Sequence, residues 1–355
     1  MILRQTYLAA ATLAIVLLMT FSIMKYVDKV FMETWLALIF IVCVPFQVAA
    51  SSILDRYGKD KPRAFNVPLK RLAAIAIYSL MAIAAGVISY LTVGGANSMP
   101  KPPLINYAIV TVVVTFWYVI VWGCWPISKL STHPAIISLS TIVVAFFVGY
   151  IVYSLLFSFE FMASSPFYVE SLDPKGALNS WNALAFLVTS VAVIFTLVML
   201  DFWPLSKFSA ATGPMANGII KSAVILISTG IIYHVFINLL AVDPVIYLVN
   251  GPISYIFGVF IPLNLFSGKL FGNVLQPLKG LLLIAVSAGS GFLLNLLYFS
   301  LSGELIPAHL EGELYQRELW VANAMLAFSF PLLVILTDHL KFWPISFRQD
   351  DCQIK

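Results

Sequence analysis

The amino-acid sequence predicts an all-α integral membrane protein of about ten transmembrane helices, arranged as five tandem helical hairpins with both termini cytoplasmic. Three observations lead there. Hydrophobic residues make up 61% of the 355 and charged residues 10%, against roughly 45–50% and 25% in soluble domains. The mean hydropathy of +0.96 leaves too little polar surface to cover a water-soluble globule. Finally, ten separate stretches each supply the ~20 mostly apolar residues that a spanning helix needs.

The first stretch, 7–24, follows Arg4 as the core of a signal peptide would. Its apolar run is 18 residues long and no small-x-small cleavage site precedes Lys25, so it reads as a span. The second, 34–54, contains Pro45 and is expected to kink. The third, 70–93, is approached through Asn66-Val67-Pro68-Leu69-Lys70, and the fourth, 105–126, closes on Trp125-Pro126-Ile127-Ser128-Lys129. The fifth is 135–158. The sixth, 181–203, closes on Trp203-Pro204-Leu205-Ser206-Lys207. The seventh, 218–240, holds His234. The eighth, 245–266, holds Pro252 and Pro262 and is expected to be kinked or broken into a re-entrant segment, with Asn250-Gly251-Pro252 as the strongest break signal. The ninth, 279–302, follows Gln276-Pro277-Leu278-Lys279 and contains Ser287-Ala288-Gly289-Ser290-Gly291. The tenth, 319–343, closes on Trp343-Pro344-Ile345-Ser346. Every run far exceeds the ~9–11 alternating residues of a membrane β-strand, which leaves helix as the state.

Charge sets the orientation. Fifteen of the 20 Lys and Arg fall on the side of the even-to-odd connections and tails, among them Arg56, Lys129, Lys207, Lys279 and Arg348. The other side holds Lys25, Lys29, Lys101, Lys175 and Arg317, together with ten of the 16 acids. The basic side is therefore expected to be cytoplasmic, in a cell membrane read as the bacterial cytoplasmic (inner) membrane. Segment 55–69 is basic and proline-punctuated and reads as an ordered linker; 303–318 reads as a short amphipathic surface helix. No stretch outside the spans approaches domain size, so residues 1–355 form a single membrane domain.

An internal repeat is visible. Trp-Pro-apolar-Ser closes spans four, six and ten, and weaker versions stand at Val44-Pro45-Phe46-Gln47 and Ile261-Pro262-Leu263-Asn264. Asn106, Asn182 and Asn323 lie near the opposite end of the three strongest copies. Trp favours the headgroup level, Pro ends or bends a helix, and Lys anchors to the surface. The repeating unit reads as a hairpin used five times, at 7–54, 70–126, 135–203, 218–266 and 279–343. Independent anchors chosen by the same physics are the alternative.

Polar groups inside the bilayer are expensive, so each candidate site is one of these. Asp201 stands near Pro204 without a helical partner three or four residues away, whereas Asp338 has Lys341 at i+3. Tyr233, His234 and Asn238 share part of span seven, with His234 and Asn238 on one face. Asn250, Ser287, Ser290 and Asn295 mark a close approach of helices or the lining of a substrate cavity. His133 and His339 read as lying on the cytoplasmic side.

Several classes are excluded. There is no Walker A, GxGxxG, HExxH or GxSxG motif. Cys43, Cys124 and Cys352 form neither a disulfide framework nor a metal spacing, and the acidic run with His309, Glu311, Glu313 and Glu318 lacks coordination spacing. No metal, cofactor or nucleic acid is expected. The leading expectation is a secondary transporter or facilitator for a small neutral, zwitterionic or cationic solute, bound near the membrane midplane between repeats, and not an enzyme. Its partners are the lipid bilayer, the small-molecule solute and a partner subunit or homo-oligomer. The alternative is an integral subunit of a larger complex, or an enzyme acting on a lipid or lipid-linked substrate.

Overall fold

The computed structural model describes residues 2–57, 67–96, 99–165, 168–209, 212–266, 268, 270–305 and 315–345. The middle of the basic linker, His309, Glu311, Glu313, Ser346 and Cys352 lie outside them, as does most of the expected surface helix. Among the described residues ten helices are long and apolar enough to cross a membrane, and the protein is a multi-pass membrane protein. They are Gln5–Tyr26, Lys29–Ser51, Arg71–Thr92, Pro102–Val121, Pro134–Leu156, Ser180–Met199, Pro214–Leu239, Pro244–Leu265, Leu278–Glu304 and Gln316–His339, called spans one to ten below. Among the described residues the strands are a two-residue parallel pair in the connection between spans five and six. There β1 (Phe157–Ser158) pairs with β2 (Leu178–Asn179), Phe157 opposite Leu178.

Burial alternates along the chain. The even spans have 56–67% of their residues buried and the odd spans 11–33%. Spans two, four, six, eight and ten touch in that order and ten returns to two, so they close an inner ring. Each odd span lies outside, over the groove between two inner ones: five on four and two, seven on six and four, nine on eight and six. Span three covers two and ten, and span one covers ten and eight. Spans two and three, four and five, six and seven, and eight and nine, each pair joined on the basic side, pack side by side, while span six packs at least as closely on eight and span two closely on five. This differs from the pairing one–two, three–four, five–six, seven–eight expected from sequence, although nine and ten also pack together. Hydropathy cannot choose between the two neighbours of an inner span, because all ten helices are apolar throughout.

The ring is filled, not hollow. Phe116, Phe195, Phe260 and Phe330 come from spans four, six, eight and ten and are all buried. Their rings meet in sequence, with centroids 5.1 Å, 5.2 Å and 4.3 Å apart. Such contacts add about 0.5–1.5 kcal/mol each beyond area burial.

The proline-bearing spans do not break. Span eight runs through Asn250-Gly251-Pro252 in a π-helical turn (Val249–Ile253) and through Pro262 in a second (Ile261–Leu265). A π-turn widens the helix by one residue, which makes room for a ring and a missing N–H that a tight α-turn would exclude. Ser254 Oγ donates to the Val249 carbonyl at 2.7 Å across the first of them. Pro45 sits within the continuous helix Ala37–Tyr57.

The three Trp-Pro segments share one course. Two residues before each Trp stand in the left-handed region: Gly123 and Cys124, Asp201 and Phe202, Lys341 and Phe342, with φ between 50° and 66°. Each Trp N–H donates to the carbonyl three residues back, at 3.0, 2.9 and 3.0 Å. The residue before it reaches deeper, Cys124 to Tyr118, Phe202 to Leu197 and Phe342 to Leu336. The peptide bonds Trp125–Pro126, Trp203–Pro204 and Trp343–Pro344 are cis. The helix has thus already ended when the motif begins, and the proline follows the turn instead of making it. Span eight ends in a related way, with Gly268 (φ 65°) donating to the Pro262 carbonyl at 3.1 Å.

Candidate functional site

The densest polar seam lies where spans eight and nine meet. Ser254 and Gly258 stand four apart on one helix, Ser287, Gly291 and Asn295 four apart on the other, so each set forms one face. Small residues there let the backbones touch: a Cβ on Gly258 would overlap the Ser287 carbonyl and the Gly291 backbone, and one on Gly291 would overlap the Ser254 carbonyl. Ser290 Oγ donates to the Gly258 carbonyl at 3.3 Å, and Ser287 Oγ to the Leu283 carbonyl at 2.8 Å. One turn further, Asn295 Nδ2 donates to Asn250 Oδ1 at 3.0 Å and to Ser254 Oγ at 2.7 Å. On the same face of span nine, Tyr298 reaches Ser329 of span ten, and Ser329 meets Thr20 of span one at 2.8 Å. All three are fully buried. Hydroxyls and amides make up this seam, which suits it to neutral hydrogen bonding.

Asn250, Ser287, Ser290 and Asn295 are therefore brought together. The other residues expected from sequence lie elsewhere. Asp201 follows span six at the basic end, where Gln276 Nε2 donates to its carboxylate at 2.7 Å and to the Met199 carbonyl at 3.0 Å. His234 and Asn238 stand exposed on span seven, the least buried helix, with Asn238 Nδ2 2.9 Å from His234 Nδ1. Tyr233 packs edge-on against Phe186 at 5.9 Å. Lys341 stands in the left-handed region, so the helical i, i+3 geometry toward Asp338 is not kept, and Asn264 Nδ2 donates to that carboxylate at 3.0 Å.

Sequence reasoning missed two places. His339 ends an inner span on the basic side but is buried there, 2% exposed, with its Nδ1 2.7 Å from the Tyr78 hydroxyl of span three. Buried Gln47 donates nearby to span ten, to the Pro331 carbonyl at 3.4 Å. No local signal could have found His339, because span ten is no more apolar than the outer spans taken together. The second place is an open groove of about 440 Å³ between spans three, four and five, lined by Thr92, Tyr107, Phe146, Phe147 and Tyr150 among others. Tyr107 OH donates there to the Phe146 carbonyl at 3.1 Å.

No family model, curated protein or solved structure matches this chain.

The acidic side is tied by short-range contacts. Asp173 is buried and accepts from the Phe159 and Lys175 backbones at 3.1 and 2.9 Å, which folds the loop between spans five and six. Lys175 pairs with Glu170 at 3.0 Å, and this partner holds its ammonium above the ordinary lysine range. Asp243 caps span eight by accepting from the Val245 and Ile246 backbones. It also accepts from Tyr315 OH at 2.6 Å, a bond that pushes the phenol up to about 12. Among the described residues no group of three His, Cys, Asp or Glu is placed to hold a metal ion.

Proposed function

We propose that the protein is a secondary carrier or facilitator for a small neutral, zwitterionic or cationic solute, with both termini cytoplasmic in a bacterial inner membrane. The observation that carries this reading is the closed ring of five inner spans sheathed by outer ones. A polypeptide that needed only an anchor would not require an interior two helices removed from lipid, and transporters commonly build such interiors from repeats. The recurrence of the left-handed pair, Trp and Pro at three helix ends supports duplication of a two-helix unit, because five of those six residues are not glycine and each bears a cost of about 1–2 kcal/mol. The polar seam at Asn250, Ser287, Ser290 and Asn295 supplies neutral donors and acceptors for the solute, and Asp201 is the coupling candidate.

Uptake into proteoliposomes across a panel of small solutes tests this. Asn295→Leu is expected to lower transport of the recognised solute at least tenfold, while Phe292→Ala on the exposed side of span nine leaves it unchanged. Retained uptake in Asn295→Leu removes the seam as the site, and leakage without solute preference removes the carrier. The aromatic groove favours the second reading, a subunit or enzyme handling a lipid; a stoichiometric lipid or partner chain in the purified protein would select it.

A further inference from the structure

Two lysines gather on one turn at the basic end of span six. Lys221 of span seven lies over the Phe202 ring at 4.2 Å, and Lys207 lies over the Trp203 ring at 6.0 Å. Phe202 and Trp203 are consecutive, so a single turn holds ammonium groups from two elements. A ring face attracts a cation but neutralises none of its charge. Neither ammonium pairs with a carboxylate of the described residues. Asp201, next to Phe202, is instead engaged by Gln276 Nε2 from the segment before span nine.

Depth makes the missing anion costly. Lys221 comes seven residues after Pro214, the first of span seven, roughly 10 Å along the helix at 1.5 Å per residue. It is half-buried on the helix that faces lipid most, directly after exposed Ile219 and Ile220. Helical side chains lean toward the N-terminus, here the basic surface, so the ammonium rises to the level of the lipid phosphates. From inside, the helix is held in this rotation by Trp122, since a Cβ on Gly218 would meet that ring at 2.8 Å.

We propose that this turn binds one anionic phospholipid of the basic-side leaflet, with Lys221 on the phosphate and Lys207 and exposed Trp203 at the rim. An acyl chain lies along Ile219 and Ile220. An acidic protein partner would have to bring carboxylates down to this depth, whereas lipid phosphates already stand there. The second lysine favours a headgroup of net negative charge over a zwitterionic one, whose own amine it repels. The proposal holds whatever solute is carried.

Native mass spectrometry of the full chain, released from nanodiscs of phosphatidylglycerol and phosphatidylcholine in equal parts, gives the test. The wild type is expected to retain one phosphatidylglycerol through detergent exchange, and little phosphatidylcholine. Lys207→Gln with Lys221→Gln is expected to lower that adduct roughly tenfold, while Lys129→Gln at the preceding Trp-Pro turn leaves it unchanged. Thermal unfolding shows whether the double variant folds, and Lys221→Arg, which keeps the charge, is expected to keep the lipid. Two wild-type measurements stand apart from any variant: the preference for phosphatidylglycerol, and its retention in excess inorganic phosphate. Equal retention of both lipids or displacement by phosphate would overturn the proposal. So would an adduct undiminished in the folded double variant, or an equal loss in Lys129→Gln.

Discussion

At the scale of single residues, the informative groups are hydroxyls and amides whose partners lie on other helices. Tyr78 joins an outer span to His339 on an inner one, and Tyr298 joins Ser329 and Thr20. Interhelical hydrogen bonds in membranes average about 0.6 kcal/mol and reach about 1.7. Tyr78→Phe and Tyr298→Phe are each expected to lower unfolding free energy within that range, measured by equilibrium denaturation in mixed micelles; a loss below the scatter of exposed Tyr7→Phe would show that neither bond matters. Tyr315 gives a pH signature. Its hydrogen bond to Asp243 raises the phenol to about 12 from the ordinary value near 10, so the folded state favours the protonated form. The stability difference between wild type and Tyr315→Phe is therefore expected to be constant below pH 10 and to disappear as pH rises through 12. Such pairs could not be read from sequence, because Asp201 and Gln276 are 75 positions apart and only the closing of the ring makes them neighbours.

At the scale of elements, the number and approximate limits of the spans were legible, because lipid demands length and apolarity together and both are local properties. The behaviour of proline was less so. Asn250-Gly251-Pro252 reads as a break in sequence, yet a π-turn absorbs it within one helix. The small residues of span nine were legible as close approach, whereas their partners Ser254 and Gly258 on span eight were not, and the contact yields a graded prediction. Gly258→Ala and Gly291→Ala push a methyl into facing backbone and are expected to cost about 1–3 kcal/mol each, or to lower the yield of folded protein. Gly289→Ala, whose Cβ meets nothing within 4 Å, is expected to be neutral or slightly stabilising. Thermal unfolding of the three variants side by side checks this, and equal effects would mean that the helices have room to separate.

At the scale of the whole molecule, sequence placed ten helices in order but did not sort them into inner and outer. An inner span must bury every face and an outer span exposes one, yet in lipid both exposed and buried faces are apolar, so the patterning that betrays a core in water is lost. Charge still orients the whole. Lys129→Cys is expected to be labelled by an impermeant thiol reagent only after cells are opened, and Lys175→Cys in intact cells; the reverse would invert the orientation and with it the assignment of cytoplasmic ends.

Ring closure has a consequence for biogenesis. Span ten lies between spans eight and two and beneath spans one and three, so several of its neighbours are made well before it. A ribosome-bound chain with nine helices inserted holds an unfilled slot through its wall, with the buried faces of spans two and eight turned toward lipid or chaperone. Quality control that senses such a slot would judge this protein only once the tenth helix leaves the translocon and seals it.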